Sequence, residues 1–284
     1  MYDGVVSGLA EAGYVEGENL EIDYQNAQGD ATNLATICQG MDDGSYDLVV
    51  TIATPATQAF VGLESDTPCV FCSVAAPVEA GVMSPLDTPD MNATGTSNAV
   101  PSGDILELGR MITPGISNVG LLYCTSEVNA VNAMETAREY LDENSIAYEE
   151  ATVASSADVQ TSAQSLLDKG VDCIFIANDS VVQSAVDLVV ELCNAAGVPT
   201  YCCSATTVQS GCLATLAMSD VAIGEQTAAI AAQVLSGTPV EDIPAVVVPA
   251  EFVSVNEDTM NALGLTIPDE VVEAYGDVQY LTNG

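Results

Sequence analysis

The stretch Asp172-Cys173-Ile174-Phe175-Ile176-Ala177-Asn178-Asp179-Ser180 decides the class of fold. Cys173 to Ala177 are apolar with no polar residue among them, and a strand of that kind needs cover on both faces, as a parallel sheet flanked by helices provides. Asn178, Asp179 and Ser180 are helix-capping types, and Val181 to Ala195 continues with the spacing of an amphipathic helix.

The same order of strand, cap and helix recurs outward from this point. Strands are expected at Leu20 to Tyr24, Asp47 to Ala53, Cys69 to Val74, Val119 to Cys124, Ala147 to Val153, Thr200 to Cys203, Leu213 to Ala217 and Val246 to Val253. Helices are expected at Tyr2 to Ala12, Ala130 to Glu143, Val159 to Asp168 and Ile223 to Leu235. That alternation predicts an α/β protein with doubly wound parallel sheets. A chain of 284 residues has room for roughly two domains. The break falls near Asn98 to Gly103, where Gly95, Pro101 and Gly103 interrupt the pattern.

Composition narrows the chemistry. The hydrophobic fraction is 48% and the mean hydropathy is +0.29, enough for substantial cores. Against 41 acidic residues stand only Arg110, Arg138 and Lys169, a net charge of -38 that repels phosphate backbones and anionic lipids. Nucleic acid is therefore excluded as a partner. Charged residues are only 15% of the chain, so the unusual feature is the missing Lys and Arg, which reads as a lineage bias. With no histidine, Ser-His-Asp, Cys-His, zinc-histidine and phosphohistidine chemistry are all out of reach. Lys169 precedes Gly170 at a helix end and supports neither a P-loop nor a Schiff base. No metal and no cofactor is called for.

The nine cysteines sit mostly in apolar runs and read as buried free thiols, in keeping with a reducing or anaerobic setting. Cys69 and Cys72 form a CxxC within a strand, where residues three apart face opposite sides, so the pair is a poor metal or redox site. No apolar run approaches a membrane span, and the acidic, helix-like segment from Tyr2 does not read as an export signal.

The residues just past each strand carry the functional clue. Thr54-Pro55 comes after Asp47 to Ala53, Ser73 ends the Cys69 strand, Thr125-Ser126-Glu127 comes after Val119 to Cys124, and Met218-Ser219-Asp220 after Leu213 to Ala217. In an open parallel sheet these positions share the carboxyl edge, where helix N–H groups hold a carboxylate without Lys or Arg. Ordinary capping explains each one singly; their recurrence on two lobes points to a crevice for a small polar ligand. An enzyme would have to draw on Asp179, Glu127, Asp220, Tyr123 or Tyr201, and the sequence pairs these in no catalytic motif. The expectation is a binding protein, not an enzyme.

Several strings then resemble a known family. They are Gly8-Leu9-Ala10-Glu11-Ala12-Gly13-Tyr14-Val15-Glu16-Gly17-Glu18-Asn19-Leu20, Asn26-Ala27-Gln28-Gly29-Asp30, Ile52-Ala53-Thr54-Pro55-Ala56, Asn92-Ala93-Thr94-Gly95-Thr96-Ser97 and Gly264-Leu265-Thr266-Ile267-Pro268. Pro77-Val78 with Ala80-Gly81, Tyr123 with Glu127 and Asn129, and Gly211 with Leu213-Ala214-Thr215 add to them. Together they resemble the ABC-transporter substrate-binding proteins of the tryptophan/tyrosine type, in order along almost the whole chain.

The resemblance implies a type I periplasmic-binding fold: two α/β lobes joined by a hinge of three crossovers, closing over an aromatic or other apolar amino acid. It implies a first lobe of residues 1–97 with 220–247 and a second of 98–219 with 248–284. The pocket residues it suggests are Thr54, Pro55, Ala56 and Ser73 on the first lobe and Tyr123, Glu127, Asn129 and Asp179 on the second. Asp179 is the first choice for the ligand ammonium, and Thr54 with nearby helix N–H groups for the carboxylate. The implied partners are the ligand and the membrane permease of an ABC importer, with the protein a monomer, extracytoplasmic (cell-surface or periplasmic) and lipid-anchored in a full-length form. Ala75-Ala76, Asn98 and Asp220-Val221 depart from the family pattern. An effector-sensing module of a regulator with the same fold, lacking its DNA-binding headpiece, and a carboxylate-based enzyme are the alternative readings. A family member would also begin with a strand ahead of the Tyr2 helix, so the first strand of the first lobe is expected to be absent here, leaving that lobe the less stable of the two.

Overall fold

The computed structural model describes residues 1–283. In chain order its elements are α1 (Tyr2–Glu11), α2 (Ala31–Met41), β1 (Val49–Ile52), α3 (Thr54–Val61), β2 (Cys69–Cys72), β3 (Ala93–Ser97), α4 (Ser102–Ile112), β4 (Asn118–Cys124), α5 (Val128–Glu143), β5 (Ala147–Val153), α6 (Ser156–Asp168) and β6 (Cys173–Ile176). Next come α7 (Ser180–Gln183), α8 (Val186–Ala196), β7 (Thr200–Cys202), α9 (Ala205–Gln209), β8 (Ala214–Ala217), α10 (Asp220–Leu235), a 3-10 turn (Val240–Asp242), β9 (Val246–Val247), β10 (Phe252–Asn256), α11 (Glu257–Ala262), α12 (Asp269–Tyr275) and β11 (Asp277–Leu281). The chain divides into two compact units, Met1–Ala99 with Met218–Pro249, and Val100–Ala217 with Ala250–Gly284.

Unit 1 carries a parallel sheet in the order β1-β2-β3-β9. Alternate residues of β2 face opposite ways, as the period of a strand requires. Cys69 and Phe71 pack with Phe60, Val61 and Cys38 of α3 and α2, while Val70 packs with Val5, Leu9, Ala228 and Ala231 of α1 and α10. α1 and α10 lie very close because Gly4, Gly8 and Gly224 carry no side chain there: a Cβ on Gly8 would stand 2.7 Å from that of Ala228.

Unit 2 is built on a seven-stranded sheet, β11-β10-β8-β7-β6-β4-β5, parallel except where β10 meets β8. Phe175, Tyr201, Val119 and Leu121 pack with Ile105 and Leu108 of α4 and Met134 and Leu141 of α5. Leu122, Ile174, Ile176 and Cys202 pack on the other face with Val159 and Leu166 of α6 and Val189 and Cys193 of α8. Each large side chain buried in this way is worth about 1.5–3 kcal/mol relative to exposure. The apolar run read from Cys173 is thus covered on both faces. All nine cysteines are free thiols, eight of them buried.

Four expectations need correction. Leu20 to Tyr24 forms no strand; it carries one bridge from Leu20 to Glu16, and polar, largely exposed Glu21 and Asp23 give it no face to bury. β3 was hidden by Gly95, which reads as a breaker but is there because a Cβ would collide with the Phe71 carbonyl of the neighbouring strand. Val246 to Val253 is two strands in two units, β9 and β10, with Pro249 between them. The helix expected from Val181 to Ala195 is broken at Ser184-Ala185 into α7 and α8. Among the described residues β1 pairs on one side only, with β2. No helix among them is long and apolar enough to cross a membrane.

Candidate functional site

The carboxyl ends of the parallel strands carry the candidate residues, and each unit is considered by itself. In unit 1, β1 ends at Ile52 and is followed by Ala53, whose φ of 72° and ψ of 162° belong to a region populated almost only by glycine. This turn sets Thr54 as the first residue of α3, with Pro55 next. Thr54 is 3% exposed, and Pro55 and Ala56 are half-buried. Pro55 has no N–H and that of Thr57 already donates to the Ala53 carbonyl, so the first turn of α3 offers the N–H groups of Thr54 and Ala56. Ser73, at the end of the adjacent strand β2, is buried and also left-handed, with φ 64°. Its N–H donates to Thr96 Oγ1 at 3.3 Å, and Thr96 Oγ1 lies 2.8 Å from Thr227 Oγ1. Two strained non-glycine residues at neighbouring strand ends mark a backbone shaped for something other than its own stability.

In unit 2 the chain crosses from β4 and β6 into a knot of polar groups. Asp179 caps α7, its Oδ1 accepting from the Val182 N–H at 2.6 Å and its Oδ2 from the Cys124 N–H at 3.1 Å. Only 1% of the residue is exposed. Burial pushes its carboxyl up to about 6, against the pull of the Val182 and Cys124 N–H groups and with a further push from Glu127. Glu127 accepts from the Ser180 N–H at 3.1 Å and from its hydroxyl. Asn129 donates from Nδ2 to the Asn178 carbonyl. Cys203 stands beside the same loop, and burial pushes its thiol up to about 12.

Glu127, Asn129 and Asp179 are therefore brought together around Asn178 and Ser180. Tyr123 is not part of that group: its hydroxyl donates to Glu150 Oε2 at 2.9 Å, and Arg138 pairs with the same carboxylate at 3.2 Å. Tyr201 lies in the core, its hydroxyl bonded to Thr113 Oγ1 at 2.7 Å and to the Gly109 carbonyl at 3.1 Å, and Asp220 is an exposed first-turn residue of α10. Sequence reasoning missed Ala53 and Cys203 and had Ser180 only as the third residue of the cap Asn178-Asp179-Ser180; a backbone angle leaves no trace in composition. Taken by itself, the unit 1 edge presents backbone donors, and the unit 2 edge presents carboxylate and amide acceptors.

The arrangement defines a class: two α/β units with ligand-type strand edges, the type I periplasmic-binding fold. The sequence profile described as ABC transporter substrate binding protein matches residues 1–279, and the chain belongs to that family, whose members bind their ligands and do not transform them. A protein from Clostridioides difficile (strain R20291) named Tyrosine-binding protein is 31% identical over 262 residues, spanning 92% of this chain and 76% of that one. The crystal structure of an ABC domain from Streptococcus pneumonia in complex with L-Trp is 29% identical with a TM-score of 0.91, covering 98% of this chain and 94% of that one. A ligand-free, open substrate-binding protein with adhesive properties from Clostridium difficile gives 29% and 0.76, covering 100% and 94%.

Proposed function

We propose that the protein captures an aromatic or other apolar amino acid for an ABC importer, outside the cytoplasm, at a cell surface or in a periplasm, and hands it to a membrane permease. The observation that carries this reading is the unit 2 edge, where the carboxylates of Glu127 and Asp179 and the amide of Asn129 gather with no basic side chain beside them, a group suited to an ammonium. In this reading the ligand carboxylate goes to Thr54, Ala56 and Ser73, with Pro55 shaping the turn. The ammonium goes to the Glu127, Asn129 and Asp179 group, with Asp179 supplying charge from beneath, and Tyr123 holds β4 against β5. The relatives named for tyrosine and solved with L-Trp favour an aromatic side chain.

Thermal unfolding with each of the twenty amino acids tests the proposal. L-Tyrosine or L-tryptophan at a hundredfold excess over Kd should stabilise the protein by about 2.7 kcal/mol. No shift with any amino acid at millimolar concentration would remove it.

A further inference from the structure

At the unit 2 edge one buried polar atom has nothing to bond. Asn129 is 8% exposed and its Oδ1 lacks a partner. A carbonyl can be met only by the amide N–H, so the bond from Nδ2 to Asn178 fixes which way the amide points and leaves the oxygen over. An acceptor left unmet in a buried position is costly, and a donor arriving with a ligand would relieve that cost.

The neighbouring carboxylates do not fill that need. Glu127 is satisfied by Ser180, and Asp179 by Cys124 and Val182, so their hydrogen bonds are already made while their charge is not neutralised by any basic group. All three basic side chains of the chain are engaged elsewhere: Arg110 with Glu107, Arg138 with Glu150, Lys169 with Glu149. Unit 1 contains no basic residue at all. A carboxylate at the unit 1 edge thus meets no basic side chain, in a turn from which Pro55 has removed one N–H, inside a chain of net charge -38. A cation meets two carboxylates and an acceptor without a partner. Asn178 is half-buried and Ser180 exposed, so this group of residues reaches the surface.

We propose that the ligand ammonium is the group this protein recognises, at Asn129 Oδ1 beside Glu127 and Asp179, and that aromatic primary amines without a carboxylate belong to its ligand class. The inference deepens the amino-acid reading and rests on the same unit 2 edge.

Calorimetry on the whole chain with L-tyrosine, tyramine and 3-(4-hydroxyphenyl)propionate tests it, because these differ only in which charged group is present. Tyramine should bind within about tenfold of L-tyrosine, and the deaminated acid about a hundredfold more weakly or not at all, as charge-assisted hydrogen bonds to the ammonium require. If L-tyrosine binds and tyramine is about a hundredfold weaker, the inference fails and the amino-acid reading stands. If tyramine binds while L-tyrosine and L-tryptophan do not, the amine site stands and the amino-acid reading fails. If none of them binds, both are overturned.

Two variants assign the atom, with circular dichroism confirming that each is folded. Asn129→Ala removes the acceptor and should weaken tyramine at least about tenfold. Asn129→Asp keeps an acceptor oxygen, exchanges the donor to Asn178 for a second oxygen and adds a negative charge, so it should retain or strengthen tyramine binding. Equal loss in both would make Asn129 a structural tie and overturn its part in recognition. Should either variant fail to fold, the side-chain amide resonance of Asn129 in the wild-type protein decides: it should move with tyramine and stay still with the deaminated acid, and the reverse overturns the assignment.

Discussion

Ala53 holds a backbone conformation that costs an alanine roughly 1–3 kcal/mol and a glycine almost nothing. Replacing it by glycine relieves the strain but loosens the unfolded chain, which returns about 0.4–1 kcal/mol. Ala53→Gly is therefore expected to stabilise the protein by about 1 kcal/mol in urea denaturation, and a loss of stability would show that the turn is not strained. Asp179 gives a second prediction. Its carboxyl stands at about 6 when folded, above the value near 3.9 of an unfolded aspartate, so between these pH values the folded state keeps a proton that the unfolded state has released. The contribution is fully present below about pH 4 and is lost as pH rises through 6. Relative to Asp179→Asn, the wild-type protein should lose on the order of 2–3 kcal/mol between pH 4 and pH 6.5 and be level above that. Denaturation curves of both proteins across that range check it, and parallel pH profiles would mean that Asp179 is ionised throughout. Neither effect was open to sequence reading: Asp179 was legible as a cap residue and Asn129 only through the family resemblance, whereas burial of one carboxylate and the unmet oxygen of one amide depend on packing from α5, α7 and β4 together.

Elements can be read from sequence where one chemical pattern decides them. β6 and β4 are continuous apolar runs and could be read directly, and α6 ends, as read, at Lys169-Gly170. β3 and the break between α7 and α8 could not, because in each the deciding fact is a neighbour: Phe71 against Gly95, and the packing on which α8 restarts at Val186. The seam of α1 on α10 is of the same kind. Gly4 faces the Val221 carbonyl, and Gly224 faces the carbonyl of Met1, so neither helix can carry a methyl at these positions without moving away. Gly4→Ala is expected to cost about 3 kcal/mol by overpacking. It should also speed hydrogen exchange in α1 while leaving β6 protected; unchanged exchange in α1 would mean the helices can part without loss. The first-strand expectation meets a related physical fact, that β1 pairs on one side. Amides of Val50 and Ile52, whose residues are half-buried, should exchange faster than those of Ile174 and Ile176, which lie between two neighbours.

At the scale of the whole molecule the net charge of -38 sets the response to salt. With only three ion pairs among the described residues, all with glutamates, the remaining carboxylates repel one another in the compact state more than in the expanded unfolded chain. Raising the salt from 0.01 M to 1 M shortens the screening length from about 30 Å to about 3 Å. The melting temperature should therefore climb by about 5 °C or more, roughly 2 kcal/mol for units of this size. Choline chloride should act like sodium chloride, because screening needs no particular cation. Affinity is expected to move the other way: tyramine, drawn by the same field that weakens the fold, should bind less tightly as salt rises, and L-tyrosine, which carries no net charge, should change far less. Melting and calorimetric titrations in the same salt series read both signs at once. A melting temperature flat in salt would mean that the acidic surface does not strain the fold, and equal salt slopes for the two ligands would mean that the field does not distinguish a cation from a zwitterion.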